Sequence, residues 1–182
     1  MKKISYKISA GAILFFAAAY FFDDVGMVSA AVPAVLVHEL GHVLFLRAFG
    51  AQINRVNLSV FGLEIDYRGF VSMPKTAIAL FAGPLFGGLY ALIAVYITND
   101  FFAMSCSISL MLTIFNLLPV MPLDGGRLVS CVLPLELARR LSFVCSVILM
   151  FGGALSLVFF GTASLLIISA WIFVYNYSRI KM

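Results

Sequence analysis

Apolar residues in this chain fall in long unbroken runs separated by short polar connections. Runs near 5–22, 27–48, 76–98 and 101–121 each approach the roughly twenty residues needed to cross a bilayer core of about 30 Å. A longer stretch, Leu141 to Tyr177, exceeds one crossing at about 1.5 Å per residue, and Gly161-Thr162 marks a tight reversal that divides it into two helices. The pattern predicts an all-α polytopic membrane protein with about six transmembrane helices. The connection from Ala51 to Pro74 has a different period. Val56-Asn57-Leu58-Ser59-Val60 and Leu63-Glu64-Ile65-Asp66-Tyr67 alternate polar with apolar, which predicts a short β-hairpin, turning near Gly62, at the membrane surface after the second span. With no internal repeat or low-complexity tract, residues 1–182 are expected to form a single domain.

Composition agrees with this pattern and excludes a soluble fold. Of 182 residues, 63% are hydrophobic and 11% charged, and mean hydropathy is +1.10, so the chain lacks the polar surface to cover itself in water. The net charge of +4 does not signify nucleic-acid binding, because the basic residues are spread thinly and form no stripe. Their placement instead fixes an orientation. Lys2, Lys3 and Lys7, then Arg47, Arg55, Arg68 and Lys75, then Arg127, Arg139 and Arg140, then Arg179 and Lys181 all fall on one side of the six spans, whereas the opposite connections carry Asp23, Asp24 and Asp100. Positive charge accumulates in the cytoplasm, so both termini are expected there, in a bacterial cytoplasmic membrane. The lysines before the first apolar run resemble a secretory signal. Ala17 and Ala19 lie inside the run rather than after it, which favours a retained helix. Cys106, Cys131 and Cys145 lack CxxC spacing and read as small packing residues.

The candidate chemistry lies in the second span, at His38-Glu39-Leu40-Gly41-His42. Residues four apart share a helical face, so both imidazoles can grip one Zn²⁺, with Glu39 beside them to accept a proton from water. These are the only histidines in the chain, and ionisable groups at membrane depth are functional by default. A catalytic zinc normally takes three protein ligands. Asp124 is the leading candidate for the third, following Asn116-Leu117-Leu118-Pro119-Val120-Met121-Pro122-Leu123 and preceding Gly125-Gly126-Arg127. Pro119 and Pro122 should unwind the end of the fourth span, and the two glycines would let the chain approach the site closely and adopt positive φ. Glu64, Asp66 and Glu136 read as solvated loop charges, and Asp23, Asp24 and Asp100 fall on the wrong side.

With His38 to His42 and Asn116 through Asp124-Gly125, the chain resembles the site-2 proteases, intramembrane zinc metalloproteases. The extended Asn-Leu-Leu-Pro-x-x-Pro-Leu-Asp-Gly-Gly-Arg form is similar to the sporulation-type branch, which processes a membrane-associated sigma-factor precursor. The resemblance covers about Val32 to Arg127. It implies that His38, His42 and Asp124 bind one zinc, that Glu39 is the general base or acid, and that Asn116 holds substrate or the developing oxyanion. Its implied partners are a transmembrane or membrane-associated protein substrate, the lipid bilayer and a regulatory membrane protein. Three departures stand out. Ala82-Gly83-Pro84 resembles a family motif that often has Asn three residues after the proline, where this chain has Gly87; no PDZ domain is expected; and no CBS domain is expected after the sixth span. Gly83, Gly87 and Gly88 otherwise read as close-packing positions. The expected activity is zinc-dependent endopeptidase cleavage near the cytoplasmic leaflet, in regulated proteolysis of a signalling or transcription-factor precursor. An exposed edge of the hairpin would hold the unwound substrate. The alternative is a metal-ion or proton transporter using the same His/Asp cluster. It is disfavoured by the absence of repeats and by the clustering of ionisable groups in one membrane half.

Overall fold

The computed structural model describes residues 5–9, 20–21, 23, 26–59, 62–68, 72–94, 96–97 and 99–180. They divide into two compact units, Met1–Ile114 and Phe115–Met182.

The first unit contains β1 (Ser5–Ile8), α1 (Met27–Ala48), β2 (Gln52–Ser59), β3 (Gly62–Arg68), α2 (Met73–Ala94) and most of α3 (Asp100–Asn116). The segment predicted to begin the first transmembrane helix is a strand over residues 5–8. Ser5-Tyr6-Lys7-Ile8 alternates like the hairpin sequences, and β2 offers an edge that it takes in parallel register, Ser5 opposite Arg55 through Ile8 opposite Leu58. Residues 10–19 of the same run lie outside the described residues. β2 and β3 pair antiparallel from Gln52 opposite Arg68 to Ser59 opposite Gly62, with an irregularity between Ile53 and Arg55. The sheet order β1-β2-β3 makes β2 central.

α1 fills the second predicted run. Its entry turns at Gly26, whose φ of 76° suits glycine, and the Asp23 carboxylate accepts from the amides of Met27 at 2.8 Å and Val28 at 2.6 Å. Two donors that no helical carbonyl can reach are thereby satisfied. Gly41 of α1 lies so near the Ala82 carbonyl and Gly83 that a side chain on Gly41 would strike α2 backbone. At the end of this crossing, Leu46, Ala51 and Ala79 form a small core with Phe45 and Phe49 packed against it. α2 and α3 are joined by polar contacts at helical spacing: Tyr90 with Ser105 at 2.9 Å, Cys106 Sγ to the Ala91 carbonyl at 2.8 Å, and Ser109 Oγ to the Gly87 carbonyl at 2.8 Å. In lipid, which offers such groups no water, small hydroxylated residues let helices approach and bond.

The second unit contains the end of α3, then α4 (Asp124–Val132), α5 (Leu135–Phe160) and α6 (Ser164–Ile180). The expected division of the last apolar stretch is found at Gly161, which caps α5 with φ 67°. Gly153 of α5 meets Leu166 and the Ser169 hydroxyl, setting a close α5–α6 crossing. α4 was not expected, and α5 begins before Leu141, so Glu136 is not a loop residue: it occupies the first turn of α5, with Arg139 at 3.5 Å. Cys131, on α4, has its thiol pKa raised by burial, against an opposing pull from Arg127.

Among the described residues, α1, α2 and α5 are long and apolar enough to cross a membrane. α3 and α6 have 17 residues each, about 26 Å of helix, at the lower bound for a crossing.

Candidate metal centre

The helical spacing that places His38 and His42 on one face of α1 also buries both, leaving 3% and 8% of their surface exposed. His42 Nδ1 lies 2.8 Å from the Ala79 carbonyl of α2. A carbonyl only accepts, so Nδ1 carries the hydrogen and Nε2 presents its lone pair. The two Nε2 atoms are 3.3 Å apart, with ring planes at 78°. Two nitrogens bound to one tetrahedral zinc at about 2.0–2.1 Å are separated by about 3.3–3.4 Å. The spacing of the pair and the tautomer of His42 both fit zinc.

Neighbouring glycines make this arrangement possible. A side chain on Gly83 would overlap the imidazole of His42, so α2 can deliver the Ala79 carbonyl only because residue 83 has no Cβ. Gly87, the departure from the family motif, faces Thr113 and His38: a Cβ there would stand 2.6 Å from Thr113 Oγ1 and 3.5 Å from His38 Nδ1. The threonine occupies space that a larger residue 87 would need, and its hydroxyl points to the Pro84 carbonyl at 3.4 Å. Gly87→Asn is therefore expected to destabilise the protein by about 1–3 kcal/mol by overpacking. Thr113→Ala in the same chain should recover much of that loss. Thermal unfolding of the single and double variants measures the coupling, and additive effects would show that the residues do not compete for space.

Glu39 follows His38 on α1 and is half-buried. In the second unit, Asn116 ends α3 and Asp124 begins α4, both half-buried. Between them the chain leaves the helix, as Pro119 and Pro122 predict, and Val120 is buried. Gly125 and Gly126 lie directly against the backbone of Leu117, Leu118, Val120 and Met121, where any side chain would collide. The glycines are close-packing positions as expected, here against the preceding loop, but neither adopts the expected positive φ, because both lie in the first turn of α4.

Residues 97–160 match the model of peptidase family M50, a stretch that includes Asn116 and Asp124. Rip3 of Mycobacterium tuberculosis, whose name carries the words zinc metalloprotease, is 35% identical over 114 residues, covering 55% of this chain and 29% of Rip3. Stage IV sporulation protein FB of Bacillus subtilis is 33% identical over 124 residues, covering 62% of this chain and 43% of that protein. The solved site-2 protease from Methanocaldococcus jannaschii superposes with a TM-score of 0.66 over 100% of this chain and 94% of its own, at 18% identity, and so shares the fold. Over part of its length the chain is thus similar to peptidase family M50 and to proteins named zinc metalloproteases, and it shares the fold of a site-2 protease. It is an integral membrane protein, and it spans less than half the length of these two curated relatives. Sequence reasoning missed the Ala79 carbonyl and Thr113. Backbone acceptors carry no sequence signal, and Thr113 reads as one more small residue in an apolar run.

Proposed function

We infer that this chain is a zinc-dependent intramembrane endopeptidase in which His38, His42 and Asp124 hold one zinc ion and Glu39 is the general base. The observation that carries the reading is the buried imidazole pair, with Nε2 atoms 3.3 Å apart and the His42 tautomer set by Ala79. Zinc bound there supplies Lewis-acid polarisation of a carbonyl and of water. Glu39 takes the proton from the attacking water and passes it to the leaving amine. Asp124 contributes the anionic ligand, and Asn116 steadies the substrate or the developing oxyanion. The substrate is a transmembrane or membrane-associated protein cut near the cytoplasmic leaflet. The likeness to stage IV sporulation protein FB supports a sporulation-type role on a transcription-factor precursor. Both termini are cytoplasmic on this reading, by the one-sided placement of Lys and Arg.

A helical substrate hides its peptide bonds and must be extended before attack, and an exposed strand edge can replace the hydrogen bonds it gives up. β2 is flanked by β1 and β3 over Arg55–Leu58, so the outer edge of β3 takes this role. Single prolines from Leu63 to Tyr67 should impair cleavage at alternate positions, where the amide faces substrate, with zinc content unchanged. A scan in which every variant cleaves normally, or in which loss tracks misfolding, removes the strand from the mechanism.

The reading is tested by comparing membrane proteomes of cells carrying the parent chain or Glu39→Gln. A membrane protein that accumulates uncut only with Glu39→Gln is the expected result. Unchanged cleavage products, together with altered metal or proton flux across vesicles, would favour transport.

A further inference from the structure

The loop that leads into Asp124 is bonded by two side chains far from it in sequence. Met121, three residues earlier, has both backbone polar groups bonded by side chains of α5 and α6. Its amide donates to Ser142 Oγ at 2.6 Å, and its carbonyl accepts from Asn176 Nδ2 at 2.7 Å. The two side chains also bond each other, Ser142 Oγ donating to Asn176 Oδ1 at 2.6 Å, and the second Nδ2 hydrogen reaches the Ile172 carbonyl at 2.8 Å. Ser142 is 1% exposed and Asn176 3% exposed. The ring is closed, and every side-chain donor in it is used. Asn176 uses both amide hydrogens and its oxygen, and Ser142 uses its hydrogen and a lone pair.

Buried polar side chains are expensive unless they bond; Ser146 and Ser169 on the same two helices bond carbonyls of their own helix, whereas Ser142 and Asn176 bond the Met121 backbone. This pair grips one loop residue on both sides of its Cα, fixing the direction in which the chain enters Pro122-Leu123-Asp124. Below that point Gly126 rests on the backbone of Val120 and Met121, so the loop is held from two directions.

We propose that Ser142 and Asn176 are positioning residues for Asp124, setting the orientation of the carboxylate toward zinc by clamping the Met121 backbone. This rests on the reading of Asp124 as a zinc ligand, and the test separates the two. Zinc affinity of the purified full chain in detergent is measured by chelator competition for the parent, Asp124→Asn, Ser142→Ala, Asn176→Leu and each of the last two combined with Asp124→Asn; thermal unfolding of the zinc-free proteins is followed in parallel. Groups that orient a metal ligand change affinity by about 10–100-fold when removed. Ser142→Ala and Asn176→Leu should each weaken zinc binding within that range, and neither should weaken it further once Asp124 is Asn, because their influence passes through that carboxylate. If Asp124→Asn weakens binding but Ser142→Ala leaves zinc affinity at the parental value and only lowers the unfolding temperature, the pair is structural and the proposal fails. Independent, multiplicative losses in the Asp124→Asn background overturn it equally. If Asp124→Asn itself retains parental affinity, the ligand assignment fails and the proposal falls with it. Should Asn176→Leu not fold, Ser142→Ala alone decides, since it removes one oxygen and two hydrogen bonds.

Discussion

Glu39→Gln is expected to bind zinc as the parent does and to lose peptide cleavage. The amide preserves the size and the hydrogen-bonding reach of the side chain, and His38 and His42 are untouched, so the proposed zinc site keeps both imidazoles. An amide cannot accept the proton that attacking water must release, and general-base catalysis is worth about 10²–10⁴-fold in rate. Zinc content and turnover are to be measured on one preparation. Turnover near the parental rate would remove Glu39 as base, and loss of zinc together with turnover would make it a structural residue.

Gly83→Ala should have an effect nearly as large without touching any ionisable group. The added methyl would occupy the place of the His42 ring. α2 must retreat or the ring must rotate, and either movement breaks the 2.8 Å bond to Ala79 that sets the tautomer. Zinc affinity is expected to fall at least about tenfold, the lower range for losing a group that orients a metal ligand. Gly88→Ala is the matched control, since its methyl would meet only Thr113 Cγ2 at an ordinary 3.8 Å. Equal zinc affinity in the two variants would show that the close approach of α2 does not govern the imidazole.

What the sequence made legible is what depends on neighbours along the chain. Two histidines four residues apart share a face whatever surrounds them, and the run from 27 to 48 is long and apolar enough to become α1 unaided. Gly161 ends α5 because its own φ of 67° suits glycine. Features that depend on distant partners were not legible. Ser5 to Ile8 stand at the front of an apolar run and read as helix, yet the vacant edge of β2, about fifty residues later, draws them into a sheet. Glycine disfavours helix, yet Gly125 and Gly126 start α4 by lying against Leu117 to Met121, where no other residue fits. Ser142 and Asn176 are isolated polar letters in long apolar runs. Only the fold shows that they close on the same residue, Met121.

The central claim is that zinc held by this chain cuts peptide bonds. The direct measurement uses the purified full chain in bilayers with a membrane-anchored peptide substrate, following product while zinc is removed by a chelator and then returned. The account predicts cleavage that stops as bound zinc falls, resumes in proportion to zinc restored at one ion per chain, and is absent throughout in Glu39→Gln. Cleavage that persists in zinc-free protein, or that the Glu39→Gln chain performs equally well, would contradict it.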